Sequence, residues 1–159
     1  MAGLINIYRE NNISRWESSY NFLRATNAEI LKSEIPHQRP TGIRGFVMNT
    51  RKEIFRDWRV RDALIHAFNY EFINQTINST KQPRITSYFS NSTLGMREGE
   101  ASGLVLKYLE PYKDELIPGV LDGYHLPVSN GDIRNRKNIR IARSQLKLAG
   151  WNLIDGELQ

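Results

Sequence analysis

The sequence predicts a single α/β domain, and three observations predict it. Gly45-Phe46-Val47-Met48-Asn49-Thr50 is a short apolar run of β-forming residues, bounded by glycine before it and charge after it. Two later segments, Val60 to Ile77 and Ile139 to Ala149, repeat apolar residues at helical spacing. The chain has 159 residues, 40% hydrophobic and 25% charged, which is enough for one buried core and too few for two full domains.

Arg15 to Ala25 places Trp16, Tyr20 and Leu23 along one side of a short helix entered through Ser14 as N-cap. Glu29 to Ile35 sets Leu31 and Ile35 against Lys32 and Glu34 before Pro36 stops it, which reads as an edge strand. Gly45 to Thr50 is the buried strand of the sheet. Asp57 can accept from the free N–H groups of a first helical turn, where its charge also favours the positive end of the helix dipole. Val60, Ala63, Leu64, Ala67, Phe68, Ile73 and Ile77 continue one apolar stripe behind it, so one long helix is expected from Trp58 to Asn78.

Ser79 to Gly95 is polar and rich in Asn, Ser and Thr, yet it holds Ile85, Tyr88 and Phe89; a loop this long inside a domain is more often functional or packed than idle. Glu100 to Glu110 carries Leu104, Leu106 and Leu109 on a helix stopped by Pro111. Pro118 to Gly131 is irregular, with a short extended piece at Leu126-Pro127-Val128. Asn135 to Gly150 is the last helix, with Ile139, Ala142, Leu146 and Ala149 on one face and Gly150 at its C-cap. The expected architecture is a small sheet around Gly45 to Thr50, flanked by the long helix and the last one.

Composition narrows function by exclusion. The chain has no cysteine, which removes disulfides, thiolate metal sites and cysteine nucleophiles. His37, His66 and His125 are far apart and stand in no metal-ligating pattern, so no metal is expected. Neither GxxxxGK[ST] nor GxGxxG occurs, and GxSxG is missing too, so no nucleotide cofactor and no catalytic activity is expected. Asn12, Asn74, Asn78 and Asn91 begin glycosylation-type triplets, which an Asn-rich chain produces by chance. No apolar run approaches the roughly 20 residues that span a bilayer.

Twenty-two Lys and Arg face 17 Asp and Glu, for a net charge of +5. Arg134, Arg136, Lys137, Arg140, Arg143 and Lys147 gather on and just before the last helix, a stripe that could meet phosphates or simply be a solvated face. With Arg56, Arg59 and Arg61 it supports one alternative reading, a small basic nucleic-acid-binding domain. Cations at the start of a helix oppose its dipole, so one or more of Arg56, Arg59 and Arg61 is expected to pair with Asp57, Asp62 or another acid. Met1 to Ile7 lacks the charged lead and apolar stretch of a secretory signal, so either the protein stays inside the cell or the chain is not the whole gene product.

Gly45-Phe46-Val47-Met48-Asn49-Thr50-Arg51, followed by Phe55-Arg56-Asp57-Trp58-Arg59-Val60-Arg61-Asp62-Ala63-Leu64, resembles the family 5 solute-binding proteins of bacterial ABC transporters. Phe68-Asn69-Tyr70-Glu71, Ser87-Tyr88-Phe89-Ser90-Asn91-Ser92, the stretch from Arg15-Trp16 to Tyr20-Asn21-Phe22, and Ala149-Gly150-Trp151 extend the likeness toward the branch of microcin C and oligopeptide receptors. Asn69 stands where the wider family usually has Asp. The resemblance runs from about Tyr8 to Trp151. It implies part of the C-terminal lobe of a two-lobed, type II periplasmic-binding-protein-like fold, with residues 1–159 as a single domain and small mixed sheet flanked by helices. It implies a periplasmic receptor that captures peptides or peptide-like solutes and delivers them to membrane permease subunits, with the export signal upstream of this chain. The family's carboxylate that meets the peptide amino terminus has no counterpart in these residues.

Within that resemblance the expected cleft residues are Asn49, Thr50 and Arg51 at the strand end and Tyr88, Phe89 and Asn91 in the long loop. Each has an ordinary structural alternative: Asn49 capping a turn, Tyr88 and Phe89 covering a core. A lobe cut from its neighbours leaves a sheet edge or apolar face uncovered, so self-association is expected.

Overall fold

A computed structural model describes residues 6–22, 25, 27, 29–78 and 82–159. Two compact units result, Met1–His37 and Gln38–Gln159.

In the first unit, helix α1 spans Ile13–Ser18. Its N-cap is Asn12 rather than Ser14: the Asn12 side-chain oxygen accepts from the Arg15 N–H at 3.0 Å. The helix stops at Ser18, short of the expected Ala25, and Leu23 lies outside the described residues. Trp16 and Tyr20 do come together, with ring centroids 6.1 Å apart, and the Lys32 ammonium lies 4.8 Å from the Trp16 ring. Residues 29–35 form no strand. Leu31 and Ile35 are exposed, and no neighbouring strand among the described residues takes their backbone groups.

The second unit is organised by a helix pair. Helix α2 (Trp58–Ala67) begins at Asp57 as expected, whose carboxylate accepts from the Arg59 N–H at 2.9 Å. It ends at Ala67, where Phe68 turns to an extended conformation, and α3 (Tyr70–Ile77) starts afresh from Asn69. The single long helix is therefore two. Asn69 is the cause: its side chain is short enough to bond its own backbone neighbourhood, and here it accepts from the Phe72 N–H at 3.4 Å.

After α4 (Gly103–Leu109), a 3₁₀ turn over Glu110–Tyr112 absorbs Pro111 where the helix would otherwise continue. Helix α5 (Arg136–Leu148) starts from Asn135 in a left-handed conformation, φ 43°. It ends in a Schellman turn: Gly150, at φ 95°, donates to Lys147 O, and Trp151 donates to Leu146 O at 2.9 Å.

Helices α2 and α5 pack on each other. Arg59 at the start of α2 donates to Leu148 O at the end of α5 (2.6 Å), and Asn135 at the start of α5 donates to His66 O at the end of α2 (3.1 Å). The pair is therefore antiparallel. Val60 and Ala63 from α2 and Ala142 from α5 are the buried apolar residues among those described, two of them alanines that let the backbones approach.

Helices with a small sheet hold as the coarse class, but the sheet is elsewhere. It is a two-stranded antiparallel hairpin, β1 (Leu153–Ile154) and β2 (Glu157–Leu158), in register Leu153 to Leu158 and Ile154 to Glu157. Asp155 and Gly156, at φ 50° and 90°, form its turn, the left-handed pair that a two-residue hairpin requires. Gly45 to Thr50, expected as the buried strand, is irregular; Phe46 is 87% and Val47 94% exposed. A strand's N–H and C=O groups must be met by another strand, and none among the described residues lies beside this run.

Candidate functional site

The long polar loop builds a cleft out of its own hydroxyls. The Ser90 hydroxyl donates to Ser87 O (2.9 Å) and accepts from the Ser87 N–H (3.0 Å). The Ser87 hydroxyl in turn accepts from the N–H groups of Phe89 and Met96. Ser92 donates through its hydroxyl to Phe89 O at 2.7 Å and accepts from the Leu94 N–H. Such side-chain-to-backbone bonds are why Ser and Asn concentrate in turns. Two links pin the loop to the segment before the apolar run: the Thr41 N–H donates to Ser90 O and the Asn91 amide to Arg39 O.

Two positions carry backbone constraints. Asn91 has φ 67°, a left-handed conformation Asn adopts readily. A Cβ at Gly95 would lie 3.1 Å from Ser92 O and 3.2 Å from Phe89 O, so the chain closes there only without a side chain.

The cleft so formed, about 610 Å³, is lined by Gln38, Thr86, Ser90 to Thr93 and Gly95 to Arg97. Its walls offer hydroxyls, amides, backbone groups and one guanidinium. That set can hydrogen-bond a solute bearing amide and carboxylate groups, in a volume that suits a small ligand.

Of the six residues expected at a cleft, Asn91 lines this one. Asn49, Thr50 and Arg51 do not; the Asn49 carboxamide accepts from the Arg51 N–H at 3.1 Å and its carbonyl from the Lys52 N–H, so Asn49 closes a turn. Tyr88 and Phe89 stand exposed beside the cleft and cover no core. Gln38, Thr86 and Arg97 were missed from sequence. Thr86 lay within the Ser/Asn loop and Arg97 just after it, while Gln38, far away in sequence, carried no signal.

A second cleft of about 720 Å³ lies where the start of α2 meets the end of α5 and the hairpin, bounded by Lys52, Ile54, Asp57, Val60, Trp151 and Gln159. Here Arg59 and Asp57 form a pair, Nη2 to Oδ2 at 2.6 Å. The Arg59 side chain, followed by its backbone N–H, holds the Asp57 carboxyl below its ordinary range. Arg61 donates to Phe55 O (2.5 Å) and Arg56 O (2.9 Å). Arg59 is thus the cation that pairs with Asp57, and Arg59 and Arg61 spend their guanidinium groups on the protein itself rather than on an external phosphate.

A polar network fixes the break between α2 and α3. Asn69 donates to Asp132 O (2.7 Å) and accepts from the Ser129 hydroxyl (2.6 Å), while the Glu71 carboxylate accepts from the Ser129 N–H (2.9 Å). Burial pushes the Glu71 carboxyl up, but the N–H and hydroxyl of Ser129, with Arg84 nearby, outweigh it and leave it below its ordinary value. The charge that Asp would bring at position 69 is not used here; the network runs on an amide. Among the described residues no group of three or more His, Asp or Glu is placed to hold a metal ion, and no helix is long and apolar enough to cross a membrane.

No family model matches the chain. Individual proteins do. The probable peptide-binding protein YejA of Agrobacterium fabrum is 34% identical over 155 residues, a match covering 96% of this chain and 25% of that protein. The peptidoglycan-binding protein YepA of the same organism is 32% identical over 164 residues, covering 98% and 27%. The uncharacterized protein YejA of Escherichia coli is 32% identical over 154 residues, covering 96% and 25%. The chain is homologous to these bacterial proteins, two of which are named for binding. It spans about a quarter of the length of the curated relatives it matches. The family 5 solute-binding resemblance is consistent with these YejA-type relatives, and none of their names lends support to a nucleic-acid-binding reading.

Proposed function

We propose that this chain is part of the C-terminal lobe of a periplasmic family 5 receptor that captures peptides or peptide-like solutes for an ABC transporter and presents them to its permease subunits. The observation that carries the proposal is the match of nearly the whole chain to one quarter of a protein named for peptide binding. Surface chemistry supports it. Phe46, Val47 and other apolar side chains stand in water here, as they would if a longer protein supplied their partners.

The loop cleft is the candidate ligand surface. Asn91, with Thr86, Ser90, Ser92 and Arg97, would hydrogen-bond the backbone and a carboxylate of the solute. Tyr88 and Phe89 beside it, and Asn49 to Arg51 in their own turn, would meet the ligand once the remaining parts of the receptor close around it. Binding of this kind takes its affinity from backbone hydrogen bonds and leaves side-chain pockets roomy and wet. Closure of the lobes is then a population shift driven by the solute.

The test is calorimetry on the whole gene product with a broad peptide panel that includes the peptide stem of peptidoglycan, since one relative is named for that polymer. Heat of binding and a raised melting temperature are expected for at least one class of peptide. No heat and no thermal shift across the panel would overturn the reading.

A further inference from the structure

Helix α5 carries its charge in one line. Arg136, Arg140, Arg143 and Lys147 recur at steps of four, three and four, which puts them on a stripe about 16 Å long at 1.5 Å per residue. Asn138 and Ala142, the residues of this helix that are buried, point to the other side, against α2. Lys137 and Arg134 flank the stripe, and all six cations are exposed. None of the six uses its side chain in a hydrogen bond or ion pair among the described residues. No acid occurs from Ile133 to Ile154. Removing these six from the 22 Lys and Arg leaves 16 against 17 Asp and Glu, so the whole positive excess of the chain sits on this face.

We propose that the outward face of α5 is a docking surface for an anionic lipid membrane. A straight row of unpaired cations on a rigid helix complements a plane of phosphate headgroups, and it does so without reading a sequence. Two exposed apolar side chains bracket the cations in sequence, Ile133 at 70% just before Arg134 and Leu148 at 64% just after Lys147, and an interface offers them an apolar phase beside the headgroups. A nucleic acid is the weaker partner, because it offers no apolar phase for the exposed Ile133 and Leu148 beside the cations, and Arg59 and Arg61, the other basic residues such a reading would use, are already taken by Asp57 and by backbone carbonyls. The surface is distinct from the loop cleft, and its binding does not depend on what the cleft holds.

Co-sedimentation of the whole gene product with phosphatidylcholine vesicles, with and without phosphatidylglycerol, tests this. The expected result is binding only with phosphatidylglycerol, abolished by salt near ~0.5 M, where screening reaches a few ångströms. Arg140→Gln should weaken partitioning about fivefold, and Arg136→Gln/Arg140→Gln/Arg143→Gln/Lys147→Gln by on the order of several hundredfold. Circular dichroism reports whether the helix survives; if the fourfold variant unfolds, Arg140→Gln and Lys147→Gln alone decide. Equal sedimentation with both vesicle types would overturn the proposal. So would unchanged partitioning of the variants, or retention on random duplex DNA without vesicle binding. Peptide calorimetry reads the cleft separately, so loss of one activity leaves the other measurable.

Discussion

The apolar run Gly45 to Thr50 and the helix pair α2 and α5 have similar hydrophobic promise in sequence and opposite fates in the structure. Val60, Ala63 and Ala142 are buried between two helices, while Phe46 and Val47 face solvent. A helix satisfies its backbone within its own segment, so an amphipathic helix needs one facing partner to bury its stripe. A buried strand needs neighbours on two edges and two faces, and those come from far away in sequence. The difference teaches which part of this chain finds its partners within these residues: the helix pair does, and the run before it does not.

Charge placed in the two regions should separate them most strongly. Ala63→Asp, at a site 1% exposed, buries an unpaired carboxylate and should cost about 3–5 kcal/mol in thermal or urea unfolding. An effect below ~1 kcal/mol would mean that the helix pair is not packed in solution. The buried Asn135 tests the same junction more gently. Asn135→Ala removes the bond to His66 O and forces alanine into a left-handed conformation, for an expected loss of about 1–3 kcal/mol.

Asp57 adds a pH signature. Asp57→Ala should cost about 1–2 kcal/mol as a lost cap. Because folding holds this carboxyl below its ordinary value of 3.8, its contribution is present above that pH and is lost as pH falls through the folded value. Asp57→Asn keeps a capping oxygen, so unfolding of this variant should lack that acid-side component.

The exposed run predicts association rather than instability. Light scattering at high concentration should show dimers or larger species of the isolated chain, and Phe46→Ser with Val47→Ser should reduce them; a clean monomer of the unmodified chain contradicts this. The smallest effect belongs to Val47→Asp, which should change the stability of the isolated chain by less than about 0.5 kcal/mol because the side chain already faces water.

Local signals were readable in sequence wherever a segment decides its own structure. The Asp57 cap, the last helix and its glycine stop, and the irregular stretch after Pro118 all followed from neighbouring residues. Asn69 carried a readable signal that the apolar stripe concealed: Asn followed by Glu71 marks a new helix start as well as a place along an old helix. Asp155-Gly156 between Leu153-Ile154 and Glu157-Leu158 is a hairpin signal that went unread. The expected strands failed for a different reason, since pairing partners do not appear in a strand's own residues. The cleft was half legible: the Ser/Asn loop marked its wall, and Asn91 lies in it, but Gln38 and Arg97 join it only through the folding of the loop.

The central claim, as proposed above, is that the run Gly45 to Thr50 is completed by the rest of a longer protein. Amide hydrogen exchange at Phe46, Val47 and Met48 tests this most directly, measured in the isolated 159-residue chain and in the gene product read from the flanking open frame. Fast exchange in the isolated chain, and protection by roughly a hundredfold or more in the longer protein, is the predicted result. Equally fast exchange in both would contradict it.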